Sequence, residues 1–317
     1  MSRIPETTPS PQGPRYEGRL LDRVDEEVVD QGVAFDLRTL MSRRGLLIGG
    51  GLGIGAVVLA ACAPVATGSS SSTGTPTPRA TGTASDAAIA EIPDETAGPY
   101  PGDGSNGPDV LDQAGIIRRD IRSSIGGGAT ANGVPLAFEL QILDLANAGV
   151  PFAGVAVYAW HCNAQGEYSL YSSGLEDVSY LRGVQVADDD GKVSFTSVFP
   201  GCYSGRWPHI HFEVYPDATA ITDASNAIAT SQLALPEDAC STVYAETAYA
   251  GSAENLARIS LTSDNVFGDD GGVSQLATTT GSVTGGYTAT LVVGVDTTTT
   301  PSAGSAPTGG GGRPPGS

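Results

Sequence analysis

The sequence predicts an all-β fold, a β-sandwich carrying long loops and only short helices. Three observations lead there. The 317 residues include 43 glycines and 21 prolines but only 7 phenylalanines and 2 methionines, a balance that favours turns and strands over long helices. Several short stretches alternate apolar and polar residues with the period of a half-buried strand. Gly, Pro and Asp punctuate those stretches at short intervals, the spacing of a layered sheet protein.

Taken in order, "PLAFELQILDL" (Pro135 to Leu145) puts Leu136, Phe138, Leu140 and Ile142 on one face. The "ANAGVPFAG" that follows is turn chemistry. "GVAVYAWHC" (Gly154 to Cys162), "GKVSFTSVFP" (Gly191 to Pro200) and "PHIHFEVYP" (Pro208 to Pro216) read as further strands. Short helices fit "PEDACSTVYA" and "SAENLARI", and "GYTATLVVGVD" (Gly286 to Asp296) supplies a last strand. The folded domain is therefore expected over residues 90–296, with no internal repeat.

The ends read differently. Residues 1–40 are a polar leader, and Met41 is an alternative start. Residues 41–62 carry Arg43-Arg44 before an uncharged, Gly-rich apolar run that closes on "LAAC". That run suits a signal peptide better than a membrane-spanning helix. The paired arginines resemble a twin-arginine export signal and Leu59 to Cys62 resembles a lipobox, which implies a lipid on Cys62 and a protein held on the outer face of a membrane. A mature mass without lipid, or with residues 1–61 retained, would overturn this. Residues 63–89 form a Ser/Thr/Gly/Pro linker and residues 297–317 a tail of similar composition, both too polar to bury a core.

The net charge of −19 argues against nucleic acid as a partner, since binding phosphate calls for a basic patch. Beyond Cys62, three cysteines remain: Cys162, Cys202 and Cys240. In an oxidising exterior one bridge is expected, with Cys202 to Cys240 the preferred pairing.

The chain has 3 histidines, and "GCYSGRWPHIHFEVY" holds two of them, His209 and His211. On a strand, residues two apart share a face, so both imidazoles can grip one ion while Ile210 enters the opposite layer. A pair of polar strand residues facing solvent is the plainer reading, which the flanking Trp207, Phe212 and Val214 argue against. His161 would complete a three-His zinc site, Glu213 a two-His carboxylate iron site, and Asp188 to Asp190 are further candidate ligands. Two tyrosines in turns, Tyr168 and Tyr203, would instead supply hard anionic phenolates that favour ferric iron, with Tyr171 a rival to Tyr168.

At this point the sequence resembles the intradiol ring-cleavage dioxygenases. The resemblance runs through "TAGPYP", "GVPFAGVAVYAWHCNAQGEYS", "DDDGKVSFTSVFPGCY", "GRWPHIHFEV" and "TSQLAL", and it is closest to the secreted, single-chain branch. It implies Fe(III) held by Tyr168, Tyr203, His209 and His211, with His161 outside the ligand set. It also implies catalytic parts for Tyr203 as a base, for Arg206 as a cation near the substrate ring, and for Gln232 in shaping the pocket. The implied reaction opens a catechol-type ring with O2 to a cis,cis-muconate-type diacid. The turn between Tyr203 and His209 is shorter than in the two-subunit members, and the loop leading to Gln232 is longer. Two other readings stay open: a sandwich that binds phenolics or carbohydrate without iron, and a three-His zinc hydrolase.

Overall fold

The computed structural model describes residues 15–16, 19–20 and 89–302. The chain divides into two compact units, Met1–Asp86 and Ala87–Ser317. In the first, β1 (Arg15–Tyr16) pairs antiparallel with β2 (Arg19–Leu20). The rest of the leader (1–40), the export signal with Cys62 (41–62), the linker up to residue 88 and the tail from residue 303 lie outside the described residues. Among the described residues no helix is long and apolar enough to cross a membrane.

The second unit is built on two sheets. In one, β3 (Pro135–Asp144) is the central strand. Along one edge it pairs parallel with β11 (Gly286–Val295), from Tyr287↔Leu136 to Val295↔Asp144. Along the other it pairs antiparallel with β7 (Lys192–Val198) and, at its end, with the two-residue β4 (Val150–Pro151). The Thr-rich β10 (Thr278–Ser282) borders β11. The second sheet runs β6 (Arg182–Val186), β5 (Ala156–Trp160), β8 (His209–Tyr215), β9 (Ala229–Ala234), all antiparallel.

The alternation in β3 does what its sequence predicts. Leu136, Phe138, Leu140 and Ile142 are buried in one core with Val157, Ala159, Ile210, Phe212 and Val214 of the second sheet. Each such side chain contributes about 1.5–3 kcal/mol on leaving water, so this stripe fixes which face of each sheet turns inward. The outer face of the second sheet is covered as well. Tyr158, Trp160 and Tyr215 there pack with Val110, Leu111, Ile116, Tyr168 and Tyr203 in a separate apolar cluster. The candidate site residues Tyr168 and Tyr203 lie in that second layer.

Helices α1 (Glu237–Val243) and α2 (Ser252–Leu256) form where the sequence places them. Strands β6, β9 and β10 were not legible from local pattern. β6 mixes Arg, Gly and Gln with two valines, β9 is buried on both faces despite Thr, Ser and Gln, and β10 is an exposed edge of Thr, Gly and Ser.

The expected Cys202–Cys240 bridge does not form. Cys162, Cys202 and Cys240 are buried free thiols. The Cys240 thiol is 3.8 Å from the Leu235 carbonyl and the Cys202 thiol 3.5 Å from that of Arg206, so each sulfur is directed to a backbone oxygen. Burial pushes the Cys202 thiol up to about 12, which keeps it protonated and unreactive.

Candidate metal centre

Strand register assembles the centre. Trp160 of β5, His211 of β8 and Gln232 of β9 are direct cross-strand partners, so they stand in one row on the outer face of the sheet. His209 lies two residues along β8 on the same face, and the two Nε2 atoms are 3.1 Å apart. The Trp160 ring stacks on His211 with centroids 4.8 Å apart and planes 6° apart. His209 Nδ1 donates to the Trp207 carbonyl, which can only accept. That bond fixes the proton on Nδ1 and leaves the Nε2 lone pair facing its neighbours.

Both tyrosines come from turns. Tyr168 sits in the β5–β6 connection and Tyr203 in the turn before β8. The two turns touch because glycines permit it: a Cβ on Gly201 would stand 2.5 Å from the Ala164 carbonyl oxygen, and one on Gly166 would stand 3.0 Å from Tyr203 Cβ. The Gly201 N–H donates to the Asn163 carbonyl across that contact. As a result the phenol oxygens lie 3.4 Å apart, at 3.2 Å (Tyr203) and 3.5 Å (Tyr168) from His209 Nε2. Four donors of two chemical kinds thus converge on one point. Neighbouring donors about 3 Å apart are what an ion bonded at about 2.0–2.1 Å gathers around itself.

The electrostatics agree with that fit. Burial lowers His209 to about 3, with Arg206 adding to the effect, and lowers His211 well below the usual range, with His209 contributing next. Burial also pushes Tyr203 up to about 12, and it raises Tyr168 well above the ordinary phenol value, helped by Tyr203. Left to themselves the four groups are therefore neutral. A cation is what makes two buried phenolates favourable there, and burial has already kept the imidazoles unprotonated for it.

The rival ligands are elsewhere. Tyr171 is half-buried, donates to Asn106 Oδ1 at 2.7 Å and accepts from the Gly102 N–H at 2.8 Å. His161 continues the strand alternation to the side opposite Trp160, where Nδ1 donates to the Cys162 carbonyl and Nε2 faces the Ser197 hydroxyl at 2.7 Å. Glu213 accepts from the Tyr215 hydroxyl at 2.7 Å, and Asp188 caps its own turn through the N–H groups of Asp190 and Lys192. Among the described residues no three His, Cys, Asp or Glu side chains gather as a metal group. The three-His zinc site and the two-His carboxylate site are corrected on this ground: without the tyrosines there is no ligand set.

Arg206 and Gln232 are brought together beside the four donors. Arg206 Nη2 donates to Gln232 Oε1 at 2.6 Å, and Gln232 Nε2 donates to the Thr96 carbonyl at 3.0 Å, tying in the "TAGPYP" segment. Arg206 also forms a buried ion pair with Asp264, Nε to Oδ2 at 3.0 Å. Burial alone would raise the Asp264 carboxyl, but Arg206 and the Trp207 N–H outweigh it and hold it below the usual range. Asp264 was missed because it lies far along the chain with no local motif. Trp160 and Tyr100, whose ring packs 4.9 Å from that of Tyr168, were missed because only the register and the loop path bring them in.

Glu95, in the same segment as Thr96, is pushed up to about 7 by burial and then by Asp269. The folded protein therefore holds a proton that the unfolded chain releases above about 4.5, so this group's contribution to stability is full at low pH and is lost as pH rises towards 7. Glu95→Gln, which can still pair with Gln275, is expected to flatten that decline. A melting temperature that falls between pH 5 and 8 as steeply in the variant as in the wild type would contradict this.

A family model described as "Dioxygenase" matches residues 105–214, a span that holds Tyr168, Tyr203, Arg206, His209 and His211. Chlorocatechol 1,2-dioxygenase of Rhodococcus opacus is 31% identical over 88 residues, 22% of this chain and 34% of that protein. The chain thus spans about a third of the length of that curated relative. Among solved structures, an intradiol ring-cleavage dioxygenase from Tetranychus urticae superposes with a TM-score of 0.51 at 22% identity, covering 67% of this chain and 96% of that one, which is a likeness of fold. The segment similar to these dioxygenases carries the two tyrosine turns and the histidine strand, and the two-sheet frame around it is similar in fold to the Tetranychus urticae enzyme.

Proposed function

We propose that the protein is an intradiol dioxygenase. It breaks the bond between the two hydroxyl-bearing carbons of a catechol-type ring and places both atoms of O2 in a cis,cis-muconate-type diacid. The ring itself supplies the electrons that reduce O2, so no further reductant is required. The observation that carries this reading is the convergence of two phenols and a second imidazole on His209 Nε2, each 3.1–3.5 Å from it, with the phenol oxygens 3.4 Å apart.

Tyr168, Tyr203, His209 and His211 would hold Fe(III). When bound, the iron supplies a Lewis-acidic centre for the catecholate and O2, and phenolate ligands favour its ferric state. The chain's own residues do the rest. His209 is held in the required tautomer by the Trp207 carbonyl. The Tyr203 phenol oxygen can take up a proton released by a substrate hydroxyl, because burial gives it a high proton affinity. Arg206, fixed by Asp264 and Gln232, sets a positive charge where negative charge develops on the ring. Trp160 and Tyr100 pack against His211 and Tyr168 and keep water off the donors.

The lipid on Cys62 and a place outside the cell belong to the same proposal and rest on the sequence motifs alone. The reaction is tested with the purified full chain by metal analysis, a visible spectrum, and catechol turnover under labelled O2. Bound iron, a tyrosinate-to-iron charge-transfer band and two labelled oxygens per product are expected. A colourless, iron-free protein that incorporates no label would leave a binding module as the better reading.

A further inference from the structure

Arg182, the first residue of β6, is completely shielded from solvent and has no carboxylate within ion-pair distance among the described residues. A buried guanidinium without a counter-ion is costly unless every N–H is used, and here all are. Nε donates to Ser169 Oγ at 3.0 Å. Nη1 donates to the Pro101 carbonyl and to the Tyr158 hydroxyl. Nη2 donates to the carbonyls of Tyr100 and Ser169, at 2.9 and 3.0 Å. The guanidinium carbon lies over the Tyr171 ring, 5.5 Å from its centroid.

These partners are not scattered. Ser169 follows Tyr168 directly, and Tyr100 is the residue whose ring packs on Tyr168. One planar fork thus fastens both the backbone that carries the Tyr168 phenol and the backbone that carries the ring holding it from the other side. Tyr158, the third partner, stacks on Trp160, which stacks on His211. We propose that Arg182 is a positioning residue for the metal centre, clamping the Tyr168 turn and the Tyr100–Pro101 segment so that the Tyr168 phenol oxygen is held against Tyr203 and His209. This rests on the reading of Tyr168 as a metal ligand.

Arg118 provides the control. It makes the same kind of bonds, to the carbonyls of Ser123, Ser179 and Arg182, and none to the Tyr168 turn or to the Tyr100–Pro101 segment. Lysine at either position keeps the charge but cannot spread its N–H groups over a planar fork. The experiment compares Arg182→Lys and Arg118→Lys in the full chain. Melting temperature, near-ultraviolet circular dichroism of the metal-free protein, the charge-transfer band and the separate kcat and KM for catechol are measured. Both variants are expected to lose stability.

Only Arg182→Lys is expected to change the aromatic dichroism of the Tyr100, Tyr168 and Trp160 cluster, to shift the band, and to lower kcat about 10- to 100-fold, the range for outer groups that orient a ligand. Its KM should change less than its kcat. Should Arg182→Lys fail to fold, Ser169→Ala, which removes only the hydroxyl accepting from Nε, is read in the same way. The proposal is overturned if the Arg182 variant, or Ser169→Ala in its place, matches Arg118→Lys in dichroism, band and kcat. A wild type without iron or colour overturns the ligand reading instead, and the dichroism of the metal-free proteins then decides whether the clamp exists.

Discussion

Tyr168→Phe and Tyr203→Phe are each expected to lose most of the visible charge-transfer band and to lower catechol turnover by more than about 100-fold, while Tyr171→Phe leaves both close to wild type. The contrast follows from position. The phenol oxygens of Tyr168 and Tyr203 stand 3.4 Å apart at the histidine pair, whereas that of Tyr171 is occupied by Asn106 and Gly102. Removing an outer partner of a metal ligand costs about 10- to 100-fold, so removing the ligand oxygen should exceed that range. Phe keeps the ring and its packing, and the fold should survive. Iron content and the spectrum of all three variants, measured alongside turnover, check the assignment. If Tyr171→Phe bleaches the protein and Tyr168→Phe does not, the ligand set is wrong.

Arg206 gives the second large effect, and here stability and chemistry separate. Arg206→Met leaves the Asp264 carboxylate buried with no cation, and breaking such a pair costs about 3–5 kcal/mol. Asp264 still accepts from the N–H groups of Trp207, Val266 and Phe267, which places the cost near the lower end, about 3 kcal/mol. For a domain of this size that corresponds to a fall of roughly 6–12 °C in melting temperature. Arg206→Lys keeps the charge but cannot reach Asp264 and Gln232 with one fork. It should melt closer to wild type while losing about 10²-fold or more in kcat, the cost of one misplaced electrostatic stabiliser. Thermal melts beside steady-state kinetics test this. A lysine variant with wild-type kcat would remove Arg206 from the reaction.

Much of this architecture is legible in the amino-acid sequence. The five strands of clear alternation and the two short helices form where their patterns indicate, because period and turn residues are local properties. His209 and His211 share a face because strand geometry requires it. Other elements escaped. β9 carries Gln232 but has no alternation, since both of its faces are buried and Gln232 is held there by Arg206 and Thr96. The cysteine pairing failed because spacing along the chain says nothing about where each sulfur points.

The sandwich, the histidine pair and the candidacy of the two tyrosine turns follow from local pattern, because all of them depend on neighbours a few residues apart. The packing of distant segments, by contrast, sets which phenol oxygen faces His209, since Tyr168 and Tyr171 differ by a single turn of backbone and point to different partners. It also decided that His161 faces the inter-sheet core, that Asp264 holds Arg206, and that Arg182 ties the Tyr168 turn to the Tyr100–Pro101 segment. Those choices depend on side-chain direction and on contacts between distant segments. Folding sets them through burial and hydrogen-bond satisfaction, and no local pattern encodes them.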